Sequence, residues 1–224
     1  MRANLIARNN IQLKWFELKE IPYSIERKLE ISYSPDSVEN NINNYTPSFL
    51  YLFKNINTVQ IPQSDIILFE NNLPTIYAKT VGIKGNKFST DLQNDPIILT
   101  TDRIIELIKG KEKILREPPE YPNPRIKEIE IREREDIIKR KISFKNDSDD
   151  KIEQFELKLV ETKEVRFINA NPEPSKKDPP EYLWTFSIDP ETTYSIELQF
   201  QTYLRKTFEI EKEPSRPPDK SLAQ

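Results

Sequence analysis

Apolar and polar residues take turns along almost the whole of this chain, and that period of two constrains its fold more than any other feature. In "EYLWTFSIDPETTYSIELQFQT", residues 181–202, Trp184, Phe186 and Ile188 alternate with Thr185 and Ser187. After a polar break, Tyr194, Ile196, Leu198 and Phe200 alternate with Ser195, Glu197, Gln199 and Gln201. Successive side chains of a β-strand point to opposite faces, so the pattern describes strands with one buried and one wet face. The segment reads as a hairpin turning at "DPETT" (189–193), with Trp184, Phe186, Tyr194 and Phe200 closing a hydrophobic interior.

The same alternation marks strands at 11–18, 28–34, 48–55, 64–70, 75–83, 96–100, 103–110, 126–133, 137–146, 152–160, 164–169 and 205–213. Turn chemistry separates many of them, as in "ENN" (70–72) and "NDSDD" (146–150). One segment, "RIKEIEIREREDIIKRK" (125–141), also fits an exposed helix with Glu–Lys pairs four apart. The well-patterned strand that follows favours two strands turning at "RERED". Many short strands at near-regular spacing predict an all-β fold. We expect two antiparallel β-sandwich domains, immunoglobulin-like or jelly-roll-like, over residues 1–115 and 126–212. The stretch "REPPEYPNPR" (116–125) joins them as a stiff linker, because its four prolines remove amide donors and restrict their neighbours. Residues 213–224 read as a flexible tail. A second Pro-rich stretch, "NPEPSKKDPPE" (171–181), reads as a long projecting loop.

Composition excludes more functions than it suggests. Lys plus Arg number 34 against 37 Asp plus Glu, for a net charge of −3, so no broad cationic field awaits nucleic acid or anionic lipid. The short "KRK" at 139–141 does not change that. With no cysteine and no histidine, disulfides, thiolate metal sites and the usual neutral-pH general base are out of reach. Three glycines leave little for a phosphate-cradling loop. The N-terminus lacks a signal-peptide core, and no apolar run is long enough to span a bilayer. A cytoplasmic protein, or one within a particle assembled in the cytoplasm, is expected. Eighteen prolines, few glycines and abundant Ile, Lys and Glu suggest a heat-adapted source, although the many asparagines argue the other way.

Two groups of residues carry a resemblance. "IKRKISFKNDSDDKIEQFELKLVE" (138–161) followed by a Pro-rich loop and "LWTFSIDPETTYSIELQFQ" (183–201) is the first. "LYLFKNINTVQIPQSDIILFENN" (50–72) with "GNKFSTDLQNDPIILT" (85–100) is the second. Together, over roughly residues 45–212, they resemble the C-terminal β-rich module of the mucoidy-inhibitor-A-like family of conserved hypothetical proteins. This sequence departs from the family where Gln63 and Ser64 follow Pro62 in place of its usual glycine, and it carries no long N-terminal coiled-coil region. The resemblance implies the β fold and a role in assembly or scaffolding. It carries over no catalytic residue.

No catalytic, cofactor or metal residue emerges from the residues themselves, and no cofactor is expected. Asp147, Asp149 and Asp150 look like the start of a calcium loop, but the glycine and bidentate glutamate of such a loop are missing, so they read as a solvated turn. Asn44-Tyr45-Thr46 and Asn146-Asp147-Ser148 match glycosylation acceptors. Trp15 next to Phe16 breaks the alternation of the first strand, which would turn one aromatic outward as a contact anchor. With Pro172, Pro174, Pro179 and Pro180 of the second Pro-rich stretch, they are the expected interaction contacts. The expected function is a non-enzymatic structural or protein-interaction component of a larger assembly, cellular or viral, working through protein partners or self-assembly. Nucleic acid is not an expected partner, and a small-molecule ligand stays open. The alternative is a carboxylate-dependent carbohydrate-active or metal-dependent enzyme on a β scaffold.

Overall fold

The computed structural model describes residues 22–54, 63, 65–70, 73–84, 87–121 and 125–212, which are 71% strand and 3% helix. In chain order they form β1 (Tyr23–Ser32), α1 (Pro35–Glu39), β2 (Ile42–Asn43), β3 (Ser48–Lys54), β4 (Asp65–Glu70), β5 (Leu73–Lys84), β6 (Lys87–Thr90) and β7 (Gln93–Asn94). Then follow β8 (Ile98–Ile108), β9 (Lys113–Glu117), β10 (Ile126–Asn146), β11 (Ile152–Val160), β12 (Val165–Asn171), β13 (Lys176–Asp178), β14 (Glu181–Ile188) and β15 (Thr193–Glu211). The all-β expectation holds. The strand read at 11–18 and the tail after 212 lie outside the described residues.

The chain divides into two compact units, one of residues 1–26 and 49–93, the other of residues 27–48 and 94–224. This division differs from the one expected at 116–125. The reason lies in pairing: β9 runs antiparallel to β10, with Glu117 opposite Ile129, so the Pro-rich stretch connects two neighbouring strands of one sheet. In the smaller unit β3, β6, β5 and β4 are successive neighbours. In the larger unit one sheet carries β13, β14, β11 and the Arg27–Ser32 part of β1; the other runs β12, β15, β10, β8, β2, with β9 also on β10.

Both sheets of the larger unit feed one core. Ile31, Phe155, Leu157 and Trp184 come from the first sheet, and Ile138, Ile142, Phe144, Ile196 and Phe200 from the second. That makes the unit sandwich-like. The pairing of β1 with β11 is parallel, however, from Arg27 opposite Phe155 to Ser32 opposite Val160, so the sheets are not purely antiparallel.

Three strand assignments change. β10 is a single strand of 21 residues, not a hairpin turning at "RERED". That segment holds none of the glycine, proline or asparagine that a tight turn favours. Its charges are met in place: Arg134 donates to Asp136 at 2.8 Å, while Arg132 and Arg116 donate to Glu130 at 2.8 and 3.0 Å. Likewise β8 merges the segments read at 96–100 and 103–110, and β15 runs unbroken through 205.

The opening segment is not a hairpin. β14 pairs with β11 and β13, whereas β15 pairs with β10 and β12, so the turn at 189–192 crosses between layers. Glu191 turns it with φ 56°. Trp184 and Phe200 are core as expected, and Phe186 stacks on Tyr194 with ring centres 4.0 Å apart. Alternation selects the buried side chains; it does not say to which sheet they belong.

One local structure went unread, and the stretch read as a projecting loop is placed differently. Ser34 caps α1 by accepting from the Ser37 amide at 3.2 Å, Ser37 returns the bond to the Ser34 amide at 2.8 Å, and Pro35 begins the helix. The stretch 171–181 does not project: Pro174 is buried, β13 pairs with β14, and Trp184 Nε1 donates to the Pro172 carbonyl at 2.9 Å.

Candidate interaction site

In the smaller unit β4 and β5 pair antiparallel, with Ile66 opposite Ala78, Ile67 opposite Tyr77 and Leu68 opposite Ile76. One face of this ribbon, bearing Ile66, Leu68, Ile76 and Ala78, turns inward. The other bears Ile67, Phe69 and Tyr77, with Leu73 at the turn, and these four side chains are 47–69% exposed. At its margin Asp65 and Lys79 form an exposed pair at 4.0 Å. Alternation normally places polar residues on such a wet face; here both faces are apolar. β4 is the last strand of its sheet among the described residues. An exposed apolar cluster with a charged margin has the layout of a contact surface.

The buried ionisable groups of the larger unit serve the architecture instead. Arg140 on β10 and Asp102 on β8 are both fully buried and meet through Nε at 2.8 and 3.1 Å. Arg140 Nη1 also donates to the carbonyls of Val38 (2.6 Å) and Asn40 (2.7 Å), capping the end of α1. Asp102 further accepts from the Tyr33 hydroxyl at 2.9 Å and from Asn43 at 3.3 Å. Burial first, and then the Asp102 carboxylate, raises the Tyr33 hydroxyl well above its usual range and pushes Tyr45 up to about 12. Nearly every polar atom of the cluster is occupied by its own chain, so it pins residues 33–45 to the sheet. Asp136, also fully buried, is held likewise by Arg134 and by the Gly110 amide at 2.9 Å. Among the described residues no three carboxylates converge as a metal site would require.

Of the expected contacts, Trp15 and Phe16 lie outside the described residues. Pro172, Pro179 and Pro180 are exposed, while Pro174 is buried. The "NDSDD" turn is organised by Asn146, whose side chain is fully buried and donates to the Asp150 carbonyl at 2.8 Å. Its amide nitrogen is thereby enclosed, whereas Asn44 is exposed. Sequence reasoning missed the β4–β5 face, although "DIILFE" and "LPTIY" contain the signal: four successive apolar residues leave no polar face.

The class defined by these features is an all-β protein with a sandwich-like unit and an exposed apolar ribbon. No protein-family model, curated protein or solved structure matches this chain. No described helix is long and apolar enough to cross a membrane.

Proposed function

We propose that this chain is a non-enzymatic structural or interaction component of a larger protein assembly, and that it docks another protein chain through the outward face of β4 and β5. The exposed set Ile67, Phe69, Leu73 and Tyr77 carries this reading. Covering a half-exposed large apolar side chain is worth roughly 1 kcal/mol, so the four contribute on the order of 4 kcal/mol. Bringing two chains together costs at least about as much in lost translational and rotational freedom, so this face alone gives no stable pair. Such a contact is too weak for an isolated pair and suits an assembly in which several contacts act together. The resemblance to a family with an implied scaffolding role supports the same reading, as does the use of the buried charges within the fold.

The test is native mass. The protein isolated from its native extract should run well above the 26.5 kDa of one chain, with a second copy or a different protein retained. Ile67→Asp with Tyr77→Asp should release the single chain. A wild-type protein that runs as a lone chain, or a complex indifferent to both substitutions, would overturn the proposal.

A further inference from the structure

The outward face of the second sheet in the larger unit is concave along one strand. On β15 the residues Glu197, Gln199, Gln201 and Tyr203 point away from the core, since Leu198 and Phe200 between them point in. At about 3.3 Å per residue this row is roughly 20 Å long. Three adjoining concavities follow it, of about 400, 280 and 380 Å³. Of this row, Glu197 and Gln199 line the first, Gln201 and Tyr203 the second, and Tyr203 the third, where the rest of the lining is charges of both signs: Lys111, Lys113, Glu133, Arg134 and Glu135.

Neighbouring strands complete each rung. Asn171 and Lys141 flank Glu197; Asn169 and Lys139 flank Gln199; Arg166 flanks Gln201; Glu135 lies opposite Tyr203. A bulge in β12 between Phe167 and Asn169 places both Arg166 and Asn169 on this face. Gln201 donates to Glu135 at 2.9 Å, and Lys139 pairs with Glu106 at 2.5 Å. Among the described residues, the side-chain amides of Asn169, Asn171 and Gln199 have no hydrogen-bond partner, and Lys163 and Arg166 beside the middle concavity have no ion pair. Tyr203, 38% exposed, offers part of its ring at one end.

We propose that this groove binds a linear, uncharged oligosaccharide. Its lining mixes donors and acceptors rung by rung, and a hydroxyl group both donates and accepts. A polyanion would meet Glu135, Glu164 and Glu197 along the row; a polycation would meet Lys139, Lys163 and Arg166. An extended peptide adding to a sheet seeks unpaired backbone groups at a strand edge, whereas this groove runs along the outer face of β15, whose backbone is already paired with β12 on one side and β10 on the other. The Tyr203 ring supplies an apolar platform for the face of a sugar ring. The groove is independent of the β4–β5 contact, which belongs to the other unit.

The full chain is titrated calorimetrically with cellohexaose, maltohexaose and β-1,4-mannohexaose, with polygalacturonate as a charged control. At least one neutral hexaose should bind with a Kd below about 1 mM, and added salt should leave that Kd unchanged. Gln199→Ala should weaken binding about threefold or more, and Gln199→Ala with Tyr203→Ala about tenfold or more, without lowering the melting temperature. Tyr203→Phe should retain most of the affinity. Failure of all three neutral sugars to bind at about 10 mM, salt-sensitive binding of polygalacturonate alone, or neutral-sugar binding indifferent to the double substitution would each overturn the proposal. None of these outcomes depends on Ile67 or Tyr77.

Discussion

Replacing Asp102 with alanine removes the carboxylate that, among the described residues, alone pairs with the fully buried Arg140 guanidinium. Arg140 would keep the carbonyls of Val38 and Asn40, at 2.6 and 2.7 Å, but those offset no charge. Tyr33 and Asn43 would each lose an acceptor as well. Breaking a buried ion pair from one side costs about 3–5 kcal/mol, because the surviving charge stays out of water. Set against total stabilities of about 5–15 kcal/mol, that is a large fraction. In a unit of roughly 150 residues each kcal/mol lowers Tm by about 2–4 °C, which predicts a fall of roughly 6–20 °C. Urea and thermal unfolding followed through Trp184, in the core of the same unit, would measure it. The variant Asp102→Leu with Arg140→Met removes both charges and should recover at least about 1 kcal/mol relative to Asp102→Ala. If Asp102→Ala costs less than about 1 kcal/mol, or if the double variant is no more stable than the sum of its singles, the pair is not the pin described above.

Alkaline stability offers a second check. The Tyr33 and Tyr45 hydroxyls are raised by burial and by Asp102, so above the ordinary tyrosine value of about 10 the folded chain holds protons that the unfolded chain has lost. Stability from both groups should be intact below about pH 10 and fall as pH rises further; Tyr45→Phe should make that fall shallower in urea midpoints, and a flat profile to about pH 11 would contradict the assignment. Gly110→Ala would place its Cβ 2.0 Å from the Glu135 carbonyl oxygen, so the backbone must shift, at about 1–3 kcal/mol in a denaturant titration. Asn146→Ala should cost about 1–3 kcal/mol by the same assay, because a buried side chain bonded to the carbonyls of Asp150, Ile188 and Asp189 is lost.

Much of the burial pattern was legible in the sequence, and the connectivity was not. Period two names Phe155, Leu157 and Leu159 on β11, or Ile138, Ile142 and Phe144 on β10, as residues of one face, and they are core. But Ile188 and Ile196 would be equally buried whether β14 and β15 were neighbours or belonged to opposite sheets, so local alternation is silent on the crossing at 189–192. The single strand at 126–146 was obscured because charged residues occupy both of its faces around Arg132–Asp136. Those charges are met partly along the strand itself, Arg132 by Glu130 and Arg134 by Asp136, and partly by residues distant in sequence such as Arg116, Glu39 and Gly110. The prolines misled for a related reason: proline stops a strand without saying whether the chain then leaves the domain or turns back along it.

The parity of β10 and β15 gives the larger unit two chemistries from the same residues. On β10 the even positions 138, 140, 142 and 144 enter the interior, and there a charge persists only with its partners supplied, as Arg140 has Asp102. The odd positions 135 and 139 face outward, opposite Tyr203 and Gln199 of β15, and water relieves them of any such requirement. Side chains on the outer face can therefore keep hydrogen-bonding capacity that the fold does not consume. A one-residue slip of β15 against β10 would exchange the faces, bringing Gln199 and Gln201 into the core and Leu198 and Phe200 into the groove. The core that selects the register thus also determines which side chains form the groove, and a sugar-binding surface there needs no residue whose placement the hydrophobic interior has not already fixed.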